Sequence, residues 1–422
     1  MRAFLICPLQ IDRSAGRFQR RPSLRVENTR LPFQLASPRP LWYFPFSMMK
    51  NLCLLALLLT APFAAKAASQ EFRLNTKDGL SHIRGQIDIP VCGNAPFPMV
   101  LMVAGTGLFT RDTYFGRSHT DRDFLFSDLS QKLNQACVAT VRFDSRGVLC
   151  DLKSKAEITK CVDQKVRGQV TDQTNLEDIQ TVYDFAVNQA SLDKRNLILL
   201  GHSEGTLNIS RLIAKKTVET KAIMFIGGIT ESAQGILHWQ ISDRFAAWTM
   251  AMDSNQDGVL TNEEIKAGYA TSRLNGSFPL EVLLSPKGSW TSAEIAASFE
   301  ENYKSATLEA QSHKPLEPYM QNGVVFSAYQ WWQSWFTNYT SVLENLKNFT
   351  GPIEYHNGDI DTQAPGLREN AILQSSLLDM KSRPRFVIHP GKGHGLSNDP
   401  LYGPIDEEIA AGIVAKISSW SF

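Results

Sequence analysis

One pentapeptide constrains this chain more than anything else in it. Gly201-His202-Ser203-Glu204-Gly205 follows the apolar run Asn196 to Leu200 and precedes a helical pattern beginning near Thr206. A serine between glycines in a strand–turn–helix context is predicted to sit on a sharp turn with its hydroxyl exposed above a sheet. Side chains at 201 and 205 would collide with the neighbouring strand and helix. The chain must therefore build a sheet whose strands end at a common edge, with helices packed on its faces.

The rest of the sequence has the periodicity such a sheet needs. His82 to Pro90 alternates in polarity and reads as an antiparallel strand. Pro98 to Ala104, Val138 to Phe143, Asn196 to Leu200, Lys221 to Ile226, Pro352 to Tyr355 and Arg385 to His389 are apolar runs of strand length. Strands buried on both faces read as such unbroken runs, and alternation with helices implies a mostly parallel sheet. Helical spacing appears at Asn175 to Gln189, Leu367 to Leu378 and Ile405 to Ser418. The expected class is α/β, doubly wound. Residues 231–349 break the rhythm; they are helix-rich and aromatic, too long for a connection, and read as an inserted helical cap. The aromatic stretch Tyr329 to Phe336 fits cap core better than pocket wall.

A serine hydroxyl needs a positioned base. His394, in Pro390-Gly391-Lys392-Gly393-His394-Gly395, follows the last predicted strand, and the glycines let its loop turn back toward Ser203. His202 reads as structural, and His389 lies inside a strand. The imidazole in turn needs a carboxylate to set its tautomer. Gly358-Asp359-Ile360-Asp361 supplies two; Asp361, further along the loop, is the candidate, with Asp359 bracing the turn. An oxyanion site needs two backbone N–H groups. Glu204 offers one, and the loop Gly105-Thr106-Gly107-Leu108 offers the other, from Leu108 or Gly107. The Glu204 carboxylate is expected to pair with Arg146.

These segments, with Arg111-Asp112 and Arg142-Phe143-Asp144-Ser145-Arg146-Gly147, resemble the α/β-hydrolase superfamily, and more narrowly bacterial esterases with a GHSEG elbow. The likeness covers residues ~75–230 and ~350–422 and skips the cap. It implies hydrolysis of a carboxylic ester through an acyl-enzyme. Thr106 stands where Ser is usual, and Leu108-Phe109 where Pro is common. The alternatives are a peptidase, thioesterase or acyltransferase on the same three residues, or a calcium-dependent binding protein on an inactive hydrolase fold.

Inside the proposed cap, Asp253-Ser254-Asn255-Gln256-Asp257-Gly258-Val259-Leu260-Thr261-Asn262-Glu263-Glu264 matches a twelve-residue EF-hand loop. Asp253, Asn255, Asp257, the Val259 carbonyl, Thr261 and Glu264 are the candidate calcium ligands, and Gly258 allows the sharp turn. No second such loop is evident. A lone site in the cap is expected to be structural, shaping access and specificity without joining the chemistry at Ser203. No organic cofactor is expected.

The N-terminal region differs from the rest. Met48 or Met49, Lys50, the apolar run Leu52 to Leu59 and the small residues Ala65-Lys66-Ala67 read as a signal peptide at 48–67 cut after Ala67. Residues 1–47, rich in Arg and Pro, read as an upstream extension from a misplaced start. The hydrolase core is then 68–230 and 350–422, secreted or periplasmic, with no stable membrane anchor. Of six cysteines, Cys92, Cys137, Cys150 and Cys161 follow the proposed cut. Cys150 and Cys161 are expected to staple one loop, which leaves Cys92 to pair with Cys137. A net charge of +1 gives no reason to propose nucleic acid as a partner. The expected partner is a small ester or acyl substrate.

Overall fold

The computed structural model describes residues 68–116, 121–150 and 158–421. The proposed signal peptide, the upstream extension, Cys7 and Cys53 lie outside the described residues. Eight strands form the main sheet: β1 (Ala68–Asn75), β2 (His82–Ile89), β3 (Phe97–Val103), β4 (Ala139–Phe143), β5 (Leu192–His202), β6 (Ala222–Ile226), β7 (Ile353–Gly358) and β8 (Arg385–His389). Their order is β1-β2-β4-β3-β5-β6-β7-β8. β1 and β2 pair antiparallel, as do β2 and β4; every pairing from β4 to β8 is parallel. This is a mostly parallel, doubly wound α/β sheet, as the sequence periodicity led one to expect. All residues of β3, β6 and β7 are buried; β3 and β6 are unbroken apolar runs for that reason, while β7 also buries the polar Glu354, His356 and Asn357.

Helices cover the sheet on both faces. Among them are α1 (Leu125–Gln135), α2 (Asp172–Val187), α3 (Glu204–Ala214), α4 (Gly366–Ser376) and α5 (Glu407–Ser421). α1 turns Leu125, Phe126, Leu129 and Leu133 inward. They share one core with Val100, Met102, Ile198, Leu200, Met224 and Ile226 from the strands and with Ile413 and Ile417 of α5. Neither α1 nor β1 is among the elements expected from the sequence; α1 carries the helical spacing Leu125, Leu129, Leu133, whereas β1 has little local signal. β1 is an edge strand with a mostly exposed surface. Its Phe72 ring is accommodated by Gly85 on β2, where a Cβ would lie 2.1 Å from Phe72. That pairing is a tertiary match with little local signal.

Disulfides join Cys92 to Cys137 and Cys150 to Cys161, with Cα–Cα separations of 5.4 and 4.9 Å. Both pairings agree with expectation. Among the described residues no helix is long and apolar enough to cross a membrane.

The segment between β6 and β7 adds no strand to the main sheet. It holds two small antiparallel sheets, Val259–Thr261 with Ser289–Thr291 and the hairpin Pro318–Gln321 with Val324–Ala328. The aromatic helix Tyr329–Thr337 is core: Trp331, Trp332, Trp335 and Phe336 are all buried, and the Tyr319 ring stacks on Trp332 at 5.4 Å. A buried Arg167 ties the second hairpin to the sheet domain by donating to the carbonyls of Phe326 and Arg146.

Candidate active site

The parallel strands β3 to β8 end at one edge, the usual place for a site in an open α/β sheet. β5 delivers Ser203 there. Its backbone has φ 54° and ψ −122°, a left-handed conformation that a serine adopts only when its surroundings enforce it. The enforcement is visible. The Ser203 N–H donates to Ile226 O on β6 at 3.2 Å. A Cβ at Gly205 would lie 2.3 Å from Val103 O, and one at Gly201 would lie 2.9 Å from the Ile209 side chain. The two glycines let α3 and β3 close on the turn, as the sequence motif requires.

β7 and β8 deliver the other two residues. The Asp361 side chain, almost fully buried, accepts from His394 Nδ1 at 2.9 Å through Oδ2. Its Oδ1 accepts from the N–H groups of Gln363 at 2.6 Å and Ala364 at 3.0 Å. With Asp361 as acceptor, the His394 proton sits on Nδ1, leaving Nε2 as the basic nitrogen. Gly227, one residue past β6, faces this imidazole; a Cβ there would lie 2.9 Å from His394 Nδ1. Among the described residues Ser203 Oγ has no hydrogen-bond partner; nucleophile–base bonds are often open in ligand-free sites and tighten with substrate. Asp359 accepts from Gly391 N at 2.6 Å and braces the turn between the two loops. His202 is buried with neither ring nitrogen bonded, and its ring meets His394 edge-on at 4.7 Å. Burial, with the neighbouring His394 adding to it, pushes its pKa well below the usual histidine range, so it is a neutral wall for the base.

The loop after β3 reaches the same place. A Cβ on Gly105 would lie 2.6 Å from Ser203 Cβ. Gly107 and Glu204 line a polar cavity with Arg146, Arg167, Asn208 and Trp331. Leu108 packs its side chain against Val162 and Val324. The expected Glu204–Arg146 pair does not form. Arg146 binds Asp178 through Nε at 2.8 Å and Nη2 at 2.5 Å, and Asp78 through Nη1 at 2.5 Å. Two carboxylates closer to Arg146 satisfy it. Glu204 instead accepts from Thr106 Oγ1 at 2.7 Å and from Trp331 Nε1 at 3.0 Å. Both carboxylate oxygens are thus engaged. Burial pushes its pKa up, while those two hydrogen bonds hold it down. Sequence reasoning missed that Thr106 and Trp331 are the partners of Glu204. The aromatic run was visible, but its contact with a residue 127 positions away was not.

The acidic loop lies on the insertion. Asp253 accepts from the N–H groups of Gln256 and Gly258, both at 2.9 Å, and Asp257 accepts from Val259 N at 2.8 Å. Glu264 accepts from Thr261 and Ser254, whose hydrogen bonds hold its pKa down to about 2. Gly258 has φ +80°. The apparent absence of a second loop is corrected by the pairing of the first. Leu260 stands opposite Trp290, Val259 opposite Thr291 and Thr261 opposite Ser289. The backbone bonds Asn262 N to Gly288 O and Ser292 N to Gly258 O relate the two loops symmetrically. Each has a positive-φ glycine, Gly258 or Gly288, six residues before a glutamate that closes a capping box with Thr261 or Thr291. The second loop has Leu283, Ser285 and Lys287 where the first has Asp253, Asn255 and Asp257. Lys287 Nζ sits 2.5 Å from Glu294 Oε1. The oxygen-ligand pattern is absent there, so a motif search passes over it, although the two loops pair. Among the described residues no three His, Cys, Asp or Glu side chains converge as a preformed metal cage.

No protein-family model matches the sequence, and no curated protein is similar to it. Solved structures are similar in fold. The esterase domain of a Rhodothermus marinus protein covers 84% of this chain and 98% of its own length at 12% identity, with a TM-score of 0.41. Est1E from Butyrivibrio proteoclasticus covers 83% and 96% at 15% identity, TM-score 0.39. The α/β hydrolase GrgF from Penicillium sp. sh18 covers 83% and 98% at 15% identity, TM-score 0.46. Likeness at these identities concerns the fold alone.

Proposed function

We propose that this chain is a secreted serine hydrolase that cleaves a carboxylic ester through an acyl-enzyme, with one calcium ion held in the 253–264 loop. The observation that carries the reading is convergence. Ser203 on a strained elbow, and Asp361 hydrogen-bonded to His394, come from three separate strand ends at one sheet edge. In this mechanism His394 Nε2 takes the Ser203 proton as Oγ attacks the ester carbonyl. Asp361 keeps the Nδ1 proton in place and stabilises the imidazolium. The backbone N–H of Glu204, with that of Leu108 or Gly107, receives the developing oxyanion. His394 then protonates the leaving alcohol, and water repeats the sequence on the acyl-enzyme. The bond from Glu204 to Thr106 anchors the loop that carries the second donor.

The donor set of the first loop suits calcium. It offers Asp253, Asn255, Asp257, Thr261 and Glu264 side chains and the Val259 carbonyl, all hard oxygens, and no nitrogen or sulfur ligand. Glu264, with its pKa held down to about 2, stays ionised. Bound there, calcium supplies order to the insertion and no chemistry at Ser203. The two disulfides accord with an oxidising compartment.

A fluorophosphonate probe tests the reading. It labels the wild type and fails to label Ser203→Ala, while p-nitrophenyl esters of graded chain length report hydrolysis. Equal labelling of the two proteins refutes the assignment of Ser203.

A further inference from the structure

The helix that enters the acidic loop also crosses the catalytic acid turn. It runs from Ala233–His238 through a π-helical segment, Trp239–Asp243, into Arg244–Met250. Gln240 Nε2 donates to Gln363 O at 2.9 Å, and Arg244 Nη1 donates to Thr362 O at 2.5 Å. These carbonyls belong to the turn whose N–H groups, at Gln363 and Ala364, hold Asp361 Oδ1. One helix therefore grips the acceptor side of a turn whose donor side grips the acid. Irregular π segments of this kind recur at functional places in helices.

The same helix is built into the paired loops. Arg244 is buried, with its guanidinium 4.7 Å from the Phe245 ring centroid and 5.2 Å from that of Trp248. Phe245 and Met252 share a core with Leu260 and Ile265 of the first loop and with Leu283 and Ile295 of the second. His238 Nε2 meets Glu300 Oε2 at 2.7 Å, on the helix that leaves the second loop. Arg244 opens the helical segment Arg244–Met250, about 10 Å of helix, and Asp253 follows three positions after its end. A change in the angle at which the helix leaves the loop is delivered to the acid turn through Arg244.

We infer that Gln240 and Arg244 are positioning residues that couple the state of the 253–264 loop to Asp361, so that calcium governs the turnover step as well as access to the site. This rests on the catalytic and calcium assignments proposed above. A cation drawn in by Asp253 and Glu264 fixes the angle between the helices flanking the loop. The acid turn follows, because both carbonyls facing the helix are bonded to it. Misplacing a catalytic group by about 1 Å costs on the order of 10²-fold.

The test uses the full chain, calcium or a chelator, and the double variant Q240L/R244M, which keeps side-chain bulk and removes both donors. Three readouts are compared: p-nitrophenyl acetate kinetics, the rate of Ser203 labelling by a fluorophosphonate, and the downfield proton resonance of the Asp361–His394 hydrogen bond. In the wild type, chelation lowers kcat and the labelling rate about ten- to a hundredfold, leaves KM nearly unchanged and weakens the resonance. In the double variant kcat is already low with calcium present, calorimetry still finds calcium bound, and chelation has little further effect, as two perturbations of one linkage must. A double variant with the full wild-type calcium response overturns the inference, as does a calcium effect confined to KM. Should the double variant lose its fold by circular dichroism, Q240L alone decides by the same criteria. Absence of calcium binding or of Ser203 labelling overturns the underlying assignments; intact binding and labelling without coupling overturns this inference alone.

Discussion

Replacing Asp361 by asparagine separates its role as orienter from its role as a structural residue. Oδ1 accepts two backbone N–H groups, from Gln363 and Ala364, and Oδ2 faces His394 Nδ1. An asparagine amide can turn only one way here. Its oxygen must take the Oδ1 place, because an NH2 there would oppose two donors. Its NH2 must then face His394 Nδ1. The imidazole answers by carrying its proton on Nε2, the nitrogen that accepts from Ser203 in the proposed mechanism. The turn keeps its hydrogen bonds, so the fold should change little, while the base is held in the wrong tautomer. The expected loss in kcat is about 10⁴-fold, or about 5 kcal/mol of transition-state stabilisation. Rates of fluorophosphonate labelling and p-nitrophenyl ester turnover measure it, with thermal unfolding as the control. Asp359→Asn is the comparison, since the Asp359 carboxylate accepts from Gly391 N across the turn. A loss below about tenfold in Asp361→Asn, or an equal loss in Asp359→Asn, refutes the reasoning.

Glu369 is fully buried, and burial, with Glu231 adding to it, pushes its pKa from 4.5 up to about 7. Between those values the folded chain holds a proton that the unfolded chain has lost, so stability falls as pH rises through that window, by about 3 kcal/mol at most; urea denaturation at several pH values should find this slope in the wild type and its loss in Glu369→Gln. Removing the Cys92–Cys137 bridge, with a sequence separation of 45, should cost about 4 kcal/mol by loop-closure entropy, against about 3 kcal/mol for Cys150–Cys161 at a separation of 11; paired Cys→Ser variants in chemical denaturation give both values. Calorimetry should count one calcium per chain and none in Glu264→Gln, because Lys287 bonds Glu294 in the second loop where a cation would otherwise act; two bound ions would contradict that account.

Much of the site was legible in the residues because its parts are local. An apolar strand followed by G-x-S-x-G dictates an elbow whatever surrounds it, since only glycine admits the approach of Val103 O to position 205. The twelve-residue loop is legible for the same reason: its ligand positions are set by one turn of chain. His394 and Asp361 were accessible through their places after strands that buried apolar runs announce. The partners of Glu204 were not. Arg146 lies on a loop at the same sheet edge, and charge alone favours that pair; packing gives Arg146 to Asp178 and Asp78 and turns Glu204 toward Thr106 and Trp331. The second loop was hidden because its resemblance to the first lies in backbone pairing and one positive-φ glycine, not in the oxygen-bearing side chains that Asp253 and Asp257 supply.

By itself, then, the sequence determined the class of sheet, the strained serine, the disulfide partners and the oxygen-rich loop. Each follows from short-range periodicity, from steric limits at single positions, or from the small number of possible pairings. Only the tertiary structure decided which buried charges meet, that the loops form a pair, and that the helix carrying Gln240 and Arg244 rests on the turn of Asp361. The last of these contacts joins residues more than a hundred positions apart, and the others join residues tens of positions apart. They are chosen by packing between elements, which no local pattern records.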